Sequence, residues 1–340
     1  MIFHAPTPLS RDPPARLSAG RARPQSTTDD GAALLRRMRS PDVRSLVALV
    51  LAPTLIAPDR SPFPILEDAW RETTLRDQAA WLEQLDADPR PLSEHLLRSN
   101  ARQLGRYAEA LWEFWFTHLP GAMVHAAGLA VRDGHQVRGE LDFILTLPRL
   151  TGIQHLETGY KFFLHCPPGD DLSRFVGTHP EDRLDRKWRH MVDAQLPLSQ
   201  SALARAALPR HLAALPITPR ACLQGHIFHP FDAADAPGLD ETSGPRWCRF
   251  GSWPINRLLQ RTRAWSLPGK RNWMAPALIQ NVAVTRSTIL TPRECAARLA
   301  LHFAGSTQAQ LVAGLALDSD GFWRETSRLM VVASGWPGAD

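Results

Sequence analysis

Residues 137–164 read VRGELDFILTLPRLTGIQHLETGYKFFL, and their pattern is the most informative in the chain. Apolar and polar residues alternate in two runs, 137–146 and 153–164, which predicts two β-strands joined by a short connection. Successive side chains of a strand point to opposite faces, so Asp142 and Glu157 fall on one shared face if the strands are neighbours. The sequence therefore predicts two carboxylates side by side in the middle of a sheet.

The elements on either side of these strands complete a recognisable order. A helix is predicted over 101–118 and a further strand over 123–131, with a hairpin turn at Asp133-Gly134. Helical periodicity returns over 181–196, and residues 220–228 have the pattern of another strand. The expected fold class is α/β (α+β), with a core of helix, three strands, helix and strand.

The chain divides into four segments by composition and periodicity. Residues 1–30 have the composition of a disordered tail, residues 31–98 predict a helical lead-in, and residues 99–230 form the core. Residues 231–340 are expected to be a C-terminal α/β extension. Within the extension, we expect a helix opened by a capping box at Thr291 and strands over 309–317 and 328–334.

Composition limits the function classes. The formal net charge of +5 is compatible with an acidic partner such as nucleic acid. The four cysteines form no CxxC pair, which predicts a reducing cytoplasm and neither a zinc site nor a disulfide framework. No signal peptide or membrane segment is expected. Of the 39 basic residues only three are lysines, namely Lys161, Lys187 and Lys270.

The predicted face of the second long strand adds a cation to the two acids. Lys161 has the same strand parity as Glu157. Carboxylate oxygens hold Mg²⁺ or Mn²⁺, and such an ion with a nearby ammonium can stabilise a phosphodiester under attack. The alternative interpretation is a solvated strand face, on which Glu157 and Lys161 form a surface ion pair of little energetic value.

Several segments resemble one bacterial protein family, called domain of unknown function 1853, and the likeness covers most of the chain after residue 30. That family is similar to the PD-(D/E)XK nuclease superfamily, whose core has the order of elements predicted above. The segments that carry the resemblance are GRYAEALWEFW, GELDFIL, HLETGYKFFL, FVGTHPEDRLDRKW, AQLPLS, KRNWMAP and GWP.

The resemblance implies roles for individual residues. Asp142 would be the motif aspartate, Glu157 the second metal ligand, Lys161 the motif lysine and Glu109 the acidic residue of the first core helix. The implied cofactor is Mg²⁺ or Mn²⁺, and the implied reaction is hydrolysis of a phosphodiester bond in DNA or RNA.

The lysine departs from the superfamily pattern, which places it two residues after the acid. Gly159 occupies that position, and Lys161 is about 13 Å along a regular strand from Glu157 instead of about 7 Å. Either a bulge at the glycine draws Lys161 back, or another cation takes its place. Lys187, at the edge of the apolar face of its helix, is the candidate.

Residues 246–273 are a second candidate site that is independent of the resemblance. They contain four tryptophans and no acidic residue, a composition typical of nucleic-acid contact surfaces. The alternative is a tryptophan-rich part of the core surrounded by solvated arginines. The seven candidate cations are Arg246, Arg249, Arg257, Arg261, Arg263, Lys270 and Arg271.

Two functions from different classes remain open at this point. The first is a metal-dependent nuclease built on Asp142 and Glu157. The second is a non-catalytic nucleic-acid-binding or scaffold protein that keeps the nuclease-like fold. An unrelated structural protein is a third interpretation, and it requires the acidic face to lie in solvent.

Overall fold

The computed structural model describes residues 25–231, 244–252, 262, 264–281 and 288–338. The elements confirm a mixed α+β chain with one large sheet. The helices are α1 Gln25–Arg37, α2 Pro41–Leu51, α3 Asp68–Asp77, α4 Ala79–Ala87, α5 Arg90–Arg98, α6 Leu104–His118, α7 Leu184–His190, α8 Leu196–Leu198, α9 Ala202–Ala207 and α10 Pro292–Gly305. The strands are β1 Met123–Asp133, β2 Gln136–Thr146, β3 Ile153–His165, β4 Phe175–Gly177, β5 Ile217–Pro230, β6 Arg246–Arg249, β7 Ala264–Ser266, β8 Leu278–Gln280, β9 Gln310–Leu317 and β10 Phe322–Val332.

One mixed sheet of ten strands runs through the described part of the chain, in the order β1-β2-β3-β5-β6-β10-β9-β7, with β4 on β3 and β8 on β10. β1, β2 and β3 are antiparallel neighbours, and the predicted hairpin turn joins the first two. β5 is parallel to β3 and pairs with it along nearly its whole length. The crossover between these parallel strands contains α7, so this helix is brought onto the sheet next to β3.

The sheet is covered on both faces, which explains why β3 has few exposed residues. On one face, Leu156, Tyr160 and Phe162 join a large apolar cluster with α6 and the lead-in helices. On the other face, Phe163 packs in a separate cluster with α7. A polar side chain on β3 that faces α7 is therefore removed from water by the helix above it.

Helix α6 is more deeply buried than its predicted amphipathic face requires. Besides Tyr107, Leu111 and Trp115, the side chains of Trp112 and Phe116 are also enclosed. The reason is that the lead-in helices α2 and α5 pack against the side of α6 that does not contact the sheet. Its polar edge, which carries Glu109, remains partly open.

Two predicted boundaries are wrong. The first helix begins at Gln25, inside the segment that composition assigned to a disordered tail; residues 1–24 lie outside the described residues. The last strand begins at Phe322 rather than at 328, and it contains a register irregularity between Glu325 and Ser327. The polar residues around that irregularity hide the strand period, because a bulge shifts side chains between the two faces.

Candidate active site between two diverging strands

The acidic pair lies where β2 and β3 stop pairing. Their register runs from Thr146 opposite Ile153 to Phe143 opposite Leu156. The next step of this register would place Asp142 opposite Glu157, but in the described chain the pairing between the two strands ends before it. Opposite residues of antiparallel strands share a face, so the two acidic side chains enter the gap from the same side.

Side chains replace the missing backbone pairing in this gap. The backbone N–H and the hydroxyl of Thr158 donate to Asp142 Oδ2 at 2.8 and 2.9 Å. The backbone N–H of Asp142 points back at Glu157 Oε1, 3.4 Å away. The carboxylates therefore hold the two strands at the place where they separate, and each carboxylate is fixed in position by the opposite strand.

Glu157 is fully enclosed and has a partner on each oxygen. His155 Nε2 donates to Oε1 at 2.7 Å, and both side chains are 0% exposed. The side-chain amide of Gln195 donates to Oε2, also at 2.7 Å. The interpretation of Glu157 as part of a solvated strand face is wrong, because α7 and the π turn that follows it cover this face of β3.

Asp142 lies in an environment that disfavours its charged form. Burial raises its pKa to about 7, and the neighbouring carboxylates of Glu157 and Glu109 act in the same direction. The two hydrogen bonds from Thr158 oppose the shift. Asp142 Oδ1 accepts no hydrogen bond from the described residues, so one oxygen of this carboxylate is available to a ligand.

Glu109 enters the same neighbourhood from α6. Arg106 contacts its carboxylate at 2.8 Å and that of Glu140 at 3.0 Å, so one guanidinium joins the helix to β2. Burial raises the pKa of Glu109, Arg106 opposes this, and Glu140 and Glu157 raise it further. Glu140 is thus a flanking carboxylate held by Arg106, while Glu109 interacts electrostatically with the acidic pair.

Lys161 contacts a different partner. Its ammonium lies 3.0 Å from Asp182, and both side chains are partly exposed. Of the two alternatives for the displaced lysine, the bulge at Gly159 is not found, because the register of β3 with β5 continues without a break from Ile153 to Leu164. Nothing in the strand therefore shortens the distance along the backbone between Glu157 and Lys161.

Lys187 approaches the neighbourhood of the acidic pair from the helix side. Its Cε lies 3.5 Å from the place where a Cβ on Gly159 would stand, so the lysine stem passes over the glycine. Its ammonium donates to Gln195 Oε1 at 2.9 Å. Burial lowers the pKa of Lys187, while Asp142 and Glu157 raise it. The Lys187 side chain thus occupies the space beside Gly159 and interacts electrostatically with both acids.

Gln195 was missed by the sequence reasoning because it lies in a π turn, Met191–Gln195, that joins α7 to α8. In a regular α-helix, eight residues turn a side chain about 80° away from its starting direction, so Gln195 would not line up with Lys187. The wider π turn removes most of that difference. His155 and Thr158 were also missed as partners; strand parity could have suggested only His155.

A family model for the domain of unknown function DUF1853 matches residues 44–332. The chain belongs to the DUF1853 family. Neither the curated proteins nor the solved structures contain a match to it. No helix in the described ranges of this DUF1853 protein is long and apolar enough to cross a membrane.

The tryptophans of the basic segment in this DUF1853 protein belong largely to the core. Trp247, Trp265 and Trp273 are 6, 1 and 2% exposed, so their faces are not offered to bases. Arg249 donates to the backbone carbonyl of Trp336, and the guanidinium of Arg271 lies 4.5 Å from the centre of the Tyr107 ring. Lys270 is exposed and Arg246 half-buried, whereas Trp253, Arg257, Arg261 and Arg263 lie outside the described residues.

The chemistry of the site suits a hard cation, with a small set of donors. Asp142 and Glu157 supply carboxylate oxygens, which Mg²⁺ and Mn²⁺ prefer, and their mutual repulsion would be relieved by a divalent ion. The described residues contain no group of three or more His, Cys, Asp or Glu side chains arranged for metal binding. A hard cation would therefore meet one carboxylate oxygen without a partner among the described residues, Asp142 Oδ1, and it would have to displace His155 or Gln195 to bind Glu157.

A separate cavity of about 380 Å³ lies elsewhere in the DUF1853 protein. Its walls include Arg44, Leu51, Met274 and Arg328, from the lead-in helices and the C-terminal segment. Neither Asp142 nor Glu157 lines it. The candidate chemistry thus belongs to the gap between β2 and β3 and not to this cavity.

Proposed function

We propose that the protein is a metal-dependent nuclease of the PD-(D/E)XK type that hydrolyses phosphodiester bonds in nucleic acid. The observation that carries the proposal is the convergence of Asp142, Glu157 and Lys187 in the gap between two diverging strands. The element order supports it, since α6 precedes three antiparallel strands and a helical crossover leads to β5, parallel to β3.

Asp142 and Glu157 would hold one Mg²⁺ or Mn²⁺ ion, which when bound supplies charge stabilisation to the phosphate and lowers the pKa of a coordinated water. Asp142 offers its free oxygen, and Glu157 is oriented by His155 and Gln195. Glu109 would position water from the α6 side, because its carboxylate interacts electrostatically with both acids.

Lys187 is the proposed catalytic cation. It lies over Gly159 and is electrostatically coupled to both acids, whereas Lys161 is paired with Asp182. An ammonium in a partly dehydrated site interacts more strongly with a developing negative charge than one in water does. Lys187 can therefore stabilise the charge on the phosphate oxygens or orient the attacking water.

The proposal is tested by incubating the purified protein with single-stranded, duplex and branched DNA and with RNA, in the presence of Mg²⁺ or Mn²⁺. We expect cleavage that Asp142→Ala and Glu157→Ala abolish. Asp133→Ala is the matched control, because Asp133 is an exposed acid of the same hairpin and is paired with Arg138. Absence of cleavage by the wild type, or equal cleavage by all variants, would overturn the nuclease assignment.

The second candidate is a non-catalytic nucleic-acid-binding protein that keeps the fold. The observation in its favour is that both oxygens of Glu157 already have partners inside the protein. This candidate predicts salt-dependent binding of DNA or RNA without cleavage. Binding that weakens when Arg257, Arg261 and Arg263 are neutralised, and that is unaffected by Glu157→Ala, would favour it over the nuclease.

A further inference from the structure

One side-chain amide connects the acid and the cation of the candidate site. Gln195 donates from Nε2 to Glu157 Oε2 at 2.7 Å and accepts at Oε1 from Lys187 Nζ at 2.9 Å. An ammonium has only donors and a carboxylate has only acceptors, so the amide can satisfy both in one orientation alone. The chemistry of the two neighbours thus fixes which way the amide points.

We propose that Gln195 is a positioning residue that holds the Lys187 ammonium and the Glu157 carboxylate at a fixed distance from each other. Helix α7 would thereby supply the lysine that is absent at position 159 of β3. This inference rests on the proposed function and deepens it. It assigns a role to the π turn, because that turn aligns Gln195 with Lys187.

Gly159 provides the space that this arrangement needs. A Cβ at this position would stand 2.9 Å from Leu223 Cδ1 and 3.5 Å from Lys187 Cε. A long side chain on Gly159 would therefore compete with the lysine stem for the same volume. Gly159 thus makes room for the Lys187 stem, and Gln195 holds the ammonium at the end of that stem.

The charged groups around Lys187 come from three elements. Asp142 on β2, Glu157 on β3 and Glu109 on α6 favour its protonated form, and Lys161 on β3 disfavours it. Gln195 is neutral, so it can separate Lys187 from Glu157 without adding charge. Replacing Gln195 by an acidic residue should therefore stabilise the protonated form of Lys187, and replacing it by an apolar residue should destabilise that form.

The three lysines of the chain make a direct test feasible. We would modify the protein briefly with an amine-reactive reagent at one mildly alkaline pH and quantify each lysine by mass spectrometry. In Gln195→Met the ammonium loses its acceptor and stays buried, so Lys187 should react faster than in the wild type. In Gln195→Glu it gains a carboxylate partner and should react more slowly. Lys161 and Lys270 are internal references.

Opposite changes in the two variants would support positioning by Gln195. If both variants alter Lys187 in the same direction, or neither does, the inference is overturned, since loosened packing would act alike in both. Gln200→Met is the matched control. Gln200 donates to the carbonyl of Ile217 and has no contact with Lys187 or Glu157, so its replacement should leave the labelling pattern unchanged.

The activity arm uses the cleavage assay with the same variants. Gln195→Met should lower kcat about 10- to 100-fold with little change in KM, as is usual when the residue that orients a ligand is lost. The double variant with Lys187→Met should be no worse than Lys187→Met alone, because both changes remove one arrangement. Full additivity would contradict the inference. If the wild type cleaves nothing, the nuclease assignment fails while the labelling arm still decides the role of Gln195.

Discussion

The gap between β2 and β3 and the basic segment 246–273 both stand out in the sequence, yet the fold treats them differently. In the gap, polar groups are enclosed together: Glu157 is 0% exposed and bonded to His155 and Gln195. In the basic segment, the enclosed groups are aromatic, and Trp265 is 1% exposed. A buried carboxylate has a large desolvation cost, whereas a buried indole adds apolar stabilisation.

This difference teaches which kind of sequence signal indicates a site. The acids were identified by their parity on two strands taken as neighbours, and parity determines the face on which a side chain lies. The basic segment was identified by composition, which does not say which side chains are buried. Residues retained inside at an energetic cost point to chemistry, while residues whose burial stabilises the fold need no functional explanation.

The largest expected effect is on cleavage, and it comes from replacing an acid in the gap between β2 and β3. Glu157→Gln keeps the shape of the side chain and removes its charge, so we expect the protein to fold and metal-dependent cleavage to fall about a thousandfold, equivalent to about 4 kcal/mol. The measurement is single-turnover cleavage at saturating Mg²⁺. Circular dichroism verifies folding, and a folded variant with wild-type rates would place the chemistry elsewhere.

A substitution in the tryptophan-rich basic segment should change stability instead of cleavage. Trp265→Ala leaves a cavity in the C-terminal cluster, and we expect the free energy of unfolding to fall by about 3 kcal/mol. Denaturant titration measures this, and cleavage per folded molecule should be unchanged. A stable Trp265→Ala variant with weakened binding of single-stranded DNA would instead make this tryptophan a stacking platform.

The two lysines near the acidic pair should differ in their effect on cleavage. Lys187→Met should lower cleavage about a hundredfold, or about 2.7 kcal/mol, whereas Lys161→Met removes an exposed ion pair and should lower it less than about threefold. Gly159→Lys in a Lys187→Ala background should recover at least about tenfold, since truncating the helix lysine empties the space over residue 159 and leaves only the end of the Leu223 side chain to move. A larger loss in Lys161→Met than in Lys187→Met would reverse the assignment.

Over a single pH unit, the smallest expected effect is the pH dependence of stability. The pKa of Asp142 is about 7 in the folded protein against 3.8 for a free side chain. Between these pH values the unfolded chain has lost a proton that the folded protein keeps. The free energy of unfolding therefore falls as pH rises, by up to about 1.4 kcal/mol per pH unit. Above the folded pKa, Asp142 contributes no further change. Urea titrations at several pH values should show a shallower fall for Asp142→Asn. Equal slopes would show that Asp142 is charged throughout.

Much of the core was predictable because its periods are regular. The helix predicted over 101–118 is α6, and the predicted strands and turn correspond to β1, β2 and β3. The boundaries failed where a local rule was broken, as at the irregularity between Glu325 and Ser327 in β10. Pattern reasoning assumes a constant period, and a bulge changes it.

Part of the candidate site was also predictable from regular periodicity. Strand parity placed Asp142 and Glu157 on one face, because an antiparallel register preserves faces. It could not show that Lys187 passes over Gly159, since that contact depends on how the crossover helix is seated on the sheet. Gln195 was out of reach, because helical spacing puts it on the wrong side of Lys187 and only the π turn restores the alignment.

The π turn also compensates for one residue of chain length between the lysine and the glutamine of the site. A helix with a π turn accommodates one residue more than an unbroken α-helix of the same form, so it is equivalent to a single-residue insertion. Deleting Ala194 would convert the segment to regular helix with the glutamine seven residues after Lys187, only about 20° from its direction, so the connection would be kept without the π turn. A relative that lacks one residue between the lysine and the glutamine would therefore make the same connection on an unbroken helix, whereas one that keeps all the residues but not the π turn would lose it.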